Sequence, residues 1–105
     1  MALQANSSIV QVPASQTAGA ATDVSAMEAK TVSVEGTFSA TFQVQISCDP
    51  ANPPAAASWT NVGSTFTTPS NVFVQQPAMW IRINCTVFTS NTSAVGRCCG
   101  MTSFA

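Results

Sequence analysis

Between Thr31 and Cys48 the chain alternates without a break. The even positions are Val32, Val34, Gly36, Phe38, Ala40, Phe42, Val44, Ile46 and Cys48. The odd positions are Thr31, Ser33, Glu35, Thr37, Ser39, Thr41, Gln43, Gln45 and Ser47. A period of two belongs to strands with one buried and one wet face, and it excludes an amphipathic helix over the same residues. The run is longer than one ordinary strand, so Glu35-Gly36-Thr37 is expected to mark a turn or bulge between two.

The pattern recurs from Met79 to Thr89. Met79, Ile81, Ile83, Cys85 and Val87 occupy one phase, and Trp80, Arg82, Asn84, Thr86 and Phe88 the other. Between the two runs, Asp49 to Ser58 (DPANPPAAAS) is a loop, because its prolines fix φ and remove backbone donors. Trp59 to Phe66 is expected to be a strand, Pro69-Ser70-Asn71 a turn, and Val72 to Val74 a short strand ended by Gln75-Gln76-Pro77. Ser90 to Ser93 forms a polar turn, with a last strand within Ala94 to Phe104. About six to eight short strands at this spacing predict an all-β fold, a small antiparallel β-sandwich or a jelly roll.

Residues 1–30 are rich in Ala, Ser, Gln and Thr, with a short apolar patch at Ile9, Val10 and Val12 before Pro13. They are read as an extended N-terminal arm able to supply an edge strand, with the sandwich domain spanning 31–105. Weak helical potential lies around Val24 to Lys30, where Asp23 and Ser25 are poor helix formers.

Of the 105 residues, 7% are charged, against roughly 25% in an ordinary globular protein. The seven are Asp23, Glu28, Lys30, Glu35, Asp49, Arg82 and Arg97, giving a net charge of −1. Without a basic stripe, neither nucleic acid nor an anionic membrane surface is an expected partner. With hydrophobic residues at 46%, the chain has ample material for a core. A surface that lacks charge repulsion suits burial in an assembly. No stretch approaches the ~20 apolar residues of a spanning helix. Met1 to Val12 lacks the features of a secretory signal, so synthesis in the cytoplasm is expected.

The inventory argues against an enzyme. The chain has no His and no Tyr, its four carboxylates are far apart in sequence, and its five glycines are isolated. Asp49 in its Pro-rich loop is expected to cap a turn. No calcium-type cluster of acidic residues occurs, and the cysteines lack paired zinc spacing, so neither metal nor cofactor is expected. Cys48 and Cys85 share the inward phase of the two best strands, open to pairing as a disulfide or to burial as thiols. Cys98 and Cys99 are adjacent and badly placed to bond each other. Three matches to the glycosylation sequon, at Asn6, Asn84 and Asn91, carry no weight in a chain so rich in Ser and Thr. Trp80, Arg82 and Phe88 lie on the phase opposite the buried one. Aromatics with Arg are enriched at the centres of interfaces, which makes this face a candidate partner contact.

EGTFSATFQVQIS (Glu35 to Ser47), Asp49, SWTNVG (Ser58 to Gly63) and WIRINCTVFTS (Trp80 to Ser90) together resemble small tailed-bacteriophage virion proteins of the β-sandwich type. The resemblance spans roughly residues 31–90. The chain departs from that pattern in its longer, Pro-rich loop at Asp49 to Ser58 and in carrying Phe88 where a hydroxylated aromatic is common. The resemblance implies a capsid cement or decoration protein on the capsid exterior, often trimeric, clamping major capsid protein subunits. Ile9, Val10 and Val12, within an arm at residues 2–20, and the Trp80/Arg82/Phe88 face are then the expected contacts. The alternatives are a tail, fibre or head–tail joining component and, from a different class, a glycan-binding module using Trp59 and Trp80.

Overall fold

The computed structural model describes residues 2–91 and 93–104, with side chains over 5–91 and 93–101. Among these residues the strands run β1 (Ala2–Val10), β2 (Thr22–Asp23), β3 (Lys30–Glu35), β4 (Phe38–Ser47), β5 (Trp59–Phe66), β6 (Ser70–Val74), β7 (Trp80–Asn91) and β8 (Val95–Phe104). A single 3-10 turn at Ala56–Ser58 leads into β5. The strands form two antiparallel four-stranded sheets, ordered β1-β8-β3-β6 (sheet A) and β2-β7-β4-β5 (sheet B). The chain is an all-β sandwich.

The alternating run divides where expected. Gly36, between β3 and β4, has φ +101°, and a Cβ there would collide with the carbonyl oxygen of Ser93. The even residues then face inward. Val32 and Val34 from β3 and Val74 from β6 meet Phe42 and Val44 from β4 and Ile81 and Ile83 from β7. Phe38 and Phe66 flank Phe42, with ring centroids at 4.9 and 6.0 Å.

From Ala2 to Val10 the N-terminal segment is an edge strand of sheet A. β1 pairs with β8 along its whole length, and Val10 is fully buried. Residues 17–24 then run beside β7. Cys85 N donates to Thr17 O (2.9 Å), Gly19 N to Ile83 O (2.8 Å) and Val24 N to Met79 O (3.0 Å). No helix forms between Val24 and Lys30; the segment is a turn-rich loop that drops Val24 and Met27 into the core. Small residues on the inner face of β8 make room for it. A Cβ on Gly100 would lie 3.1 Å from Met27, and one on Gly96 3.0 Å from Ile83. Cys98, between them, donates its thiol to the Met27 sulfur at 3.9 Å.

Irregularities in both ladders of β4 decide which side chains face out. In the β4–β7 ladder Phe42 pairs with Cys85 but Thr41 with Val87, so Thr86 is an extra residue, and a second shift lies between Ser39 and Ala40. In the β4–β5 ladder, β4 advances from Phe42 to Val44 while β5 runs from Phe66 to Val62, through Gly63 at φ +70°. Gln43 fills that irregularity. It lies on the outward phase yet is buried, and its Nε2 donates to the carbonyls of Val62 (2.9 Å) and Gly63 (3.2 Å).

Candidate contact surface

The outer face of sheet B carries the aromatic-and-arginine cluster. Ser47 on β4 has Trp59 of β5 on one side and Trp80 of β7 on the other; in the next row Gln45 lies between Asn61 and Arg82. The Arg82 guanidinium reaches diagonally to sit 4.2 Å from the centroid of a Trp59 ring, a cation–π stack. Its Nε donates to Gln45 Oε1 (2.7 Å), and Gln45 Nε2 donates to Asn61 Oδ1 (2.8 Å). Burial pulls the Arg82 pKa below its ordinary value while leaving it a cation. Trp80 Nε1 donates to the Asp49 carbonyl (3.0 Å), tying the start of β7 to the Pro-rich loop.

Asp49 caps that loop, as expected from its position. Oδ2 accepts from Ala55 N (2.9 Å) and Oδ1 from Ala51 N (3.0 Å), and these two bonds hold its carboxyl below the usual range. Beneath the loop, the hydroxyls of Ser47 and Ser58 lie 2.8 Å apart in a hydrogen bond.

Phe88 does not belong to this face. The extra residue at Thr86 reverses the phase of β7, so Phe88 pairs with buried Ala40 and packs against the core, while Val87 turns outward and is 56% exposed. The surface therefore keeps Trp80 and Arg82, gains Trp59, and loses Phe88. Of the N-terminal candidates, Ile9 is 74% exposed on the outer face of sheet A. Val10 is core, and Val12 is half-buried against it.

Cys48 and Cys85 do not share an environment. β4 ends at Ser47, so Cys48 leaves the sheet with the loop and is exposed, its thiol directed at Pro77 O at 3.6 Å. Cys85 is buried and donates to Val87 O at 3.2 Å; burial raises its pKa. Because Cys85 pairs with Phe42, the two lie about 20 Å apart along β4, beyond disulfide reach. All four thiols are free.

Outward rows across sheet A run Ile9–Arg97–Ser33–Asn71 and Ser7–Cys99–Thr31–Phe73. Phe73 is 72% exposed, and Cys99 is exposed near the middle of the face. Among the described residues no three of Cys, Asp and Glu gather as a metal-holding group. Sequence reasoning also missed Lys30 as an interior polar residue; it lies on the inward phase of β3 and is buried. Its ammonium donates to the carbonyls of Glu28 (3.0 Å), Gln76 (3.1 Å) and Met27 (3.5 Å). Nothing in residues 27–30 announces those partners, because Gln76 comes from a distant loop.

No protein-family description matches the chain, and no curated protein sequence matches it. Its fold does match the crystal structure of the SPBc2 prophage-derived protein YomS, with a TM-score of 0.71 over 97% of this chain and 96% of that one. The two are 12% identical, so what they share is the fold.

Proposed function

We propose that this chain is a structural protein of a bacteriophage particle, a capsid cement or decoration protein that binds the major capsid protein lattice from outside. The observation that carries the reading is the end-to-end likeness of its fold to a prophage-derived protein. Two features of the molecule support it. Both sheets present outer faces poor in charge, suited to close packing against neighbours. Two of its seven charged residues are engaged in structural ties: Asp49 caps a loop and Lys30 bridges two segments.

The finer role is decided by abundance. Mass spectrometry of purified particles from the source should find this protein at a copy number comparable to that of the major capsid protein. A far smaller number assigns it to the tail, a fibre or the head–tail junction. Complete absence from particles refutes the reading. The glycan-binding alternative then comes forward, since Trp59 and Trp80 do flank Ser47 on one face, although Arg82 already covers Trp59.

A further inference from the structure

The sandwich has four sheet edges, and three are blunted against strand addition. Beside β7 lies the irregular segment 17–24, of which only Thr22 and Asp23 are strand. β5 is broken by the irregularity at Gly63. β6 is five residues long and directly follows Pro69. The fourth edge, β1, is met by Thr22 at its Ile9 end and is otherwise without these protections among the described residues. Ala2–Val10 is nine residues with no charge, no proline and no register shift against β8.

The backbone of β1 directs its alternate groups outward. In the β8 partner row, Met101 pairs with Ala5, yet Met101 O accepts from Glu28 N (2.8 Å) and Met101 N donates to Ala29 O (3.1 Å), both away from β1. Ala5 in such a row points its own N–H and C=O away from β8, and by alternation so do Leu3, Ser7 and Ile9. Ile9 confirms the phase, since its carbonyl accepts from the Thr22 hydroxyl at 3.1 Å on the outer side. Among the described residues, Ala5 and Ser7 have no partner on that side. An open groove of about 490 Å³, lined by Asn6 to Ser8 and by Asp23 to Met27, borders the edge there.

We propose that the β1 edge pairs antiparallel with β1 of a second copy of this chain, joining the two A sheets into one continuous sheet about a two-fold axis at Ala5. The register sets Ala5 opposite Ala5 of the other copy and Leu3 opposite Ser7 in both directions, which exchanges about six backbone hydrogen bonds. The occupant follows from the sequence of the strand. In a two-fold antiparallel pair residues near the axis face their own copies, so a charge near its centre would meet its like, and β1 carries none. Closure follows as well. With the other edges blunted, pairing ends at two copies and does not propagate. This geometry gives a dimer in place of the trimer implied by the virion resemblance, and it does not depend on the particle role.

The test is sedimentation velocity of the purified full chain, with Ala5→Pro beside it. Proline at this position removes an outward donor and leaves the bonds to β8 untouched, so the fold is kept, as a matching circular dichroism spectrum and melting curve will confirm. The wild type should sediment as a reversible pair of 10.8 kDa chains with a Kd on the order of micromolar. Ala5→Pro should raise that Kd at least ~30-fold. A second variant keeps the register falsifiable: Ala5→Cys, in a background with Cys48→Ser and Cys99→Ser, should cross-link to a covalent dimer on mild oxidation. A wild type that stays monomeric well above micromolar concentration overturns the proposal, as does an association that a folded Ala5→Pro leaves unchanged.

Discussion

Lys30→Met removes an ammonium and little else. The side chain is 3% exposed, and methionine keeps most of its aliphatic length inside. What disappears is a bracket between two loops: Nζ binds Glu28 O and, from the far side of the sequence, Gln76 O, with Met27 O at the limit of hydrogen-bond distance. No carboxylate appears among these partners, so the change does not orphan a buried anion. It does leave carbonyls without a donor. Two good charge-assisted bonds contribute roughly 1.5–3 kcal/mol each, and relief from desolvating the ammonium offsets part of that. Burial does disfavour the charge, since desolvation is the first cause of a lowered Lys30 pKa, with the nearby Cys98 and Cys48 pulling the other way. The net expectation is a loss of about 2–3 kcal/mol. For a domain of this size that lowers Tm by roughly 10–20 °C and the urea midpoint by about 1–2 M. Urea unfolding followed by tryptophan fluorescence is the assay. A loss under ~0.5 kcal/mol, or a gain, would show that the carbonyls rehydrate freely and that the bracket contributes nothing.

Two further outcomes are expected. Burial pushes the Cys98 thiol from an ordinary 9.0 up to about 11, with Lys30 lowering it and Cys99 raising it further. Above pH 9 the unfolded chain has lost that proton while the folded one keeps it, so stability should fall by up to ~1.4 kcal/mol per pH unit until about pH 11. Cys98→Ala should flatten the decline in urea titrations across that range, and an unchanged slope would discount the thiol. On β7, Phe88→Ala should cost about 2 kcal/mol and Val87→Ala no more than ~0.5; the reverse order in thermal melts would refute the extra residue at Thr86.

The architecture was legible because burial on one face of a strand writes itself as a period of two. Thr31 to Ile46, apart from the buried Gln43, and Met79 to Cys85 follow it, and the turn at Gly36 interrupts it where a positive φ is needed. Phe88 escaped because an extra residue in a ladder is a property of the pair. Nothing in Asn84 to Phe88 marks Thr86 as unmatched until β4 lies beside it. Cys48 continues the even phase in sequence, but the strand ends one residue earlier. Residues 1–30 were legible as material for an edge strand, but their place in the core was not, for a different reason. Their apolar residues are sparse, and their place in the core depends on Gly96, Cys98 and Gly100 leaving space on a strand some seventy residues later. Of the candidate surface, Trp80 and Arg82 could be assigned to one face from phase alone, whereas Trp59 joins them only through the pairing of β5 with β4.

That placement changes what a truncation can test. An arm reaching across a lattice could be removed with the sandwich intact, and lost binding would then report on the arm. Here, deletion of residues 2–20 removes β1, the buried Val10 and the backbone partners of Ile83 and Cys85. It also uncovers the edge of β8 along its length. Losses of that kind exceed the ~5 kcal/mol that bounds a marginal domain from below, so the truncated chain should be unfolded or aggregated, with no cooperative melt. A truncated chain that melts cooperatively near the wild-type temperature would restore the detachable arm. If it fails to fold, its failure to bind a particle says nothing about contact. The informative variants are then point changes on exposed outer-face residues such as Ile9→Asp and Phe73→Asp, which add one charge each and leave the core alone.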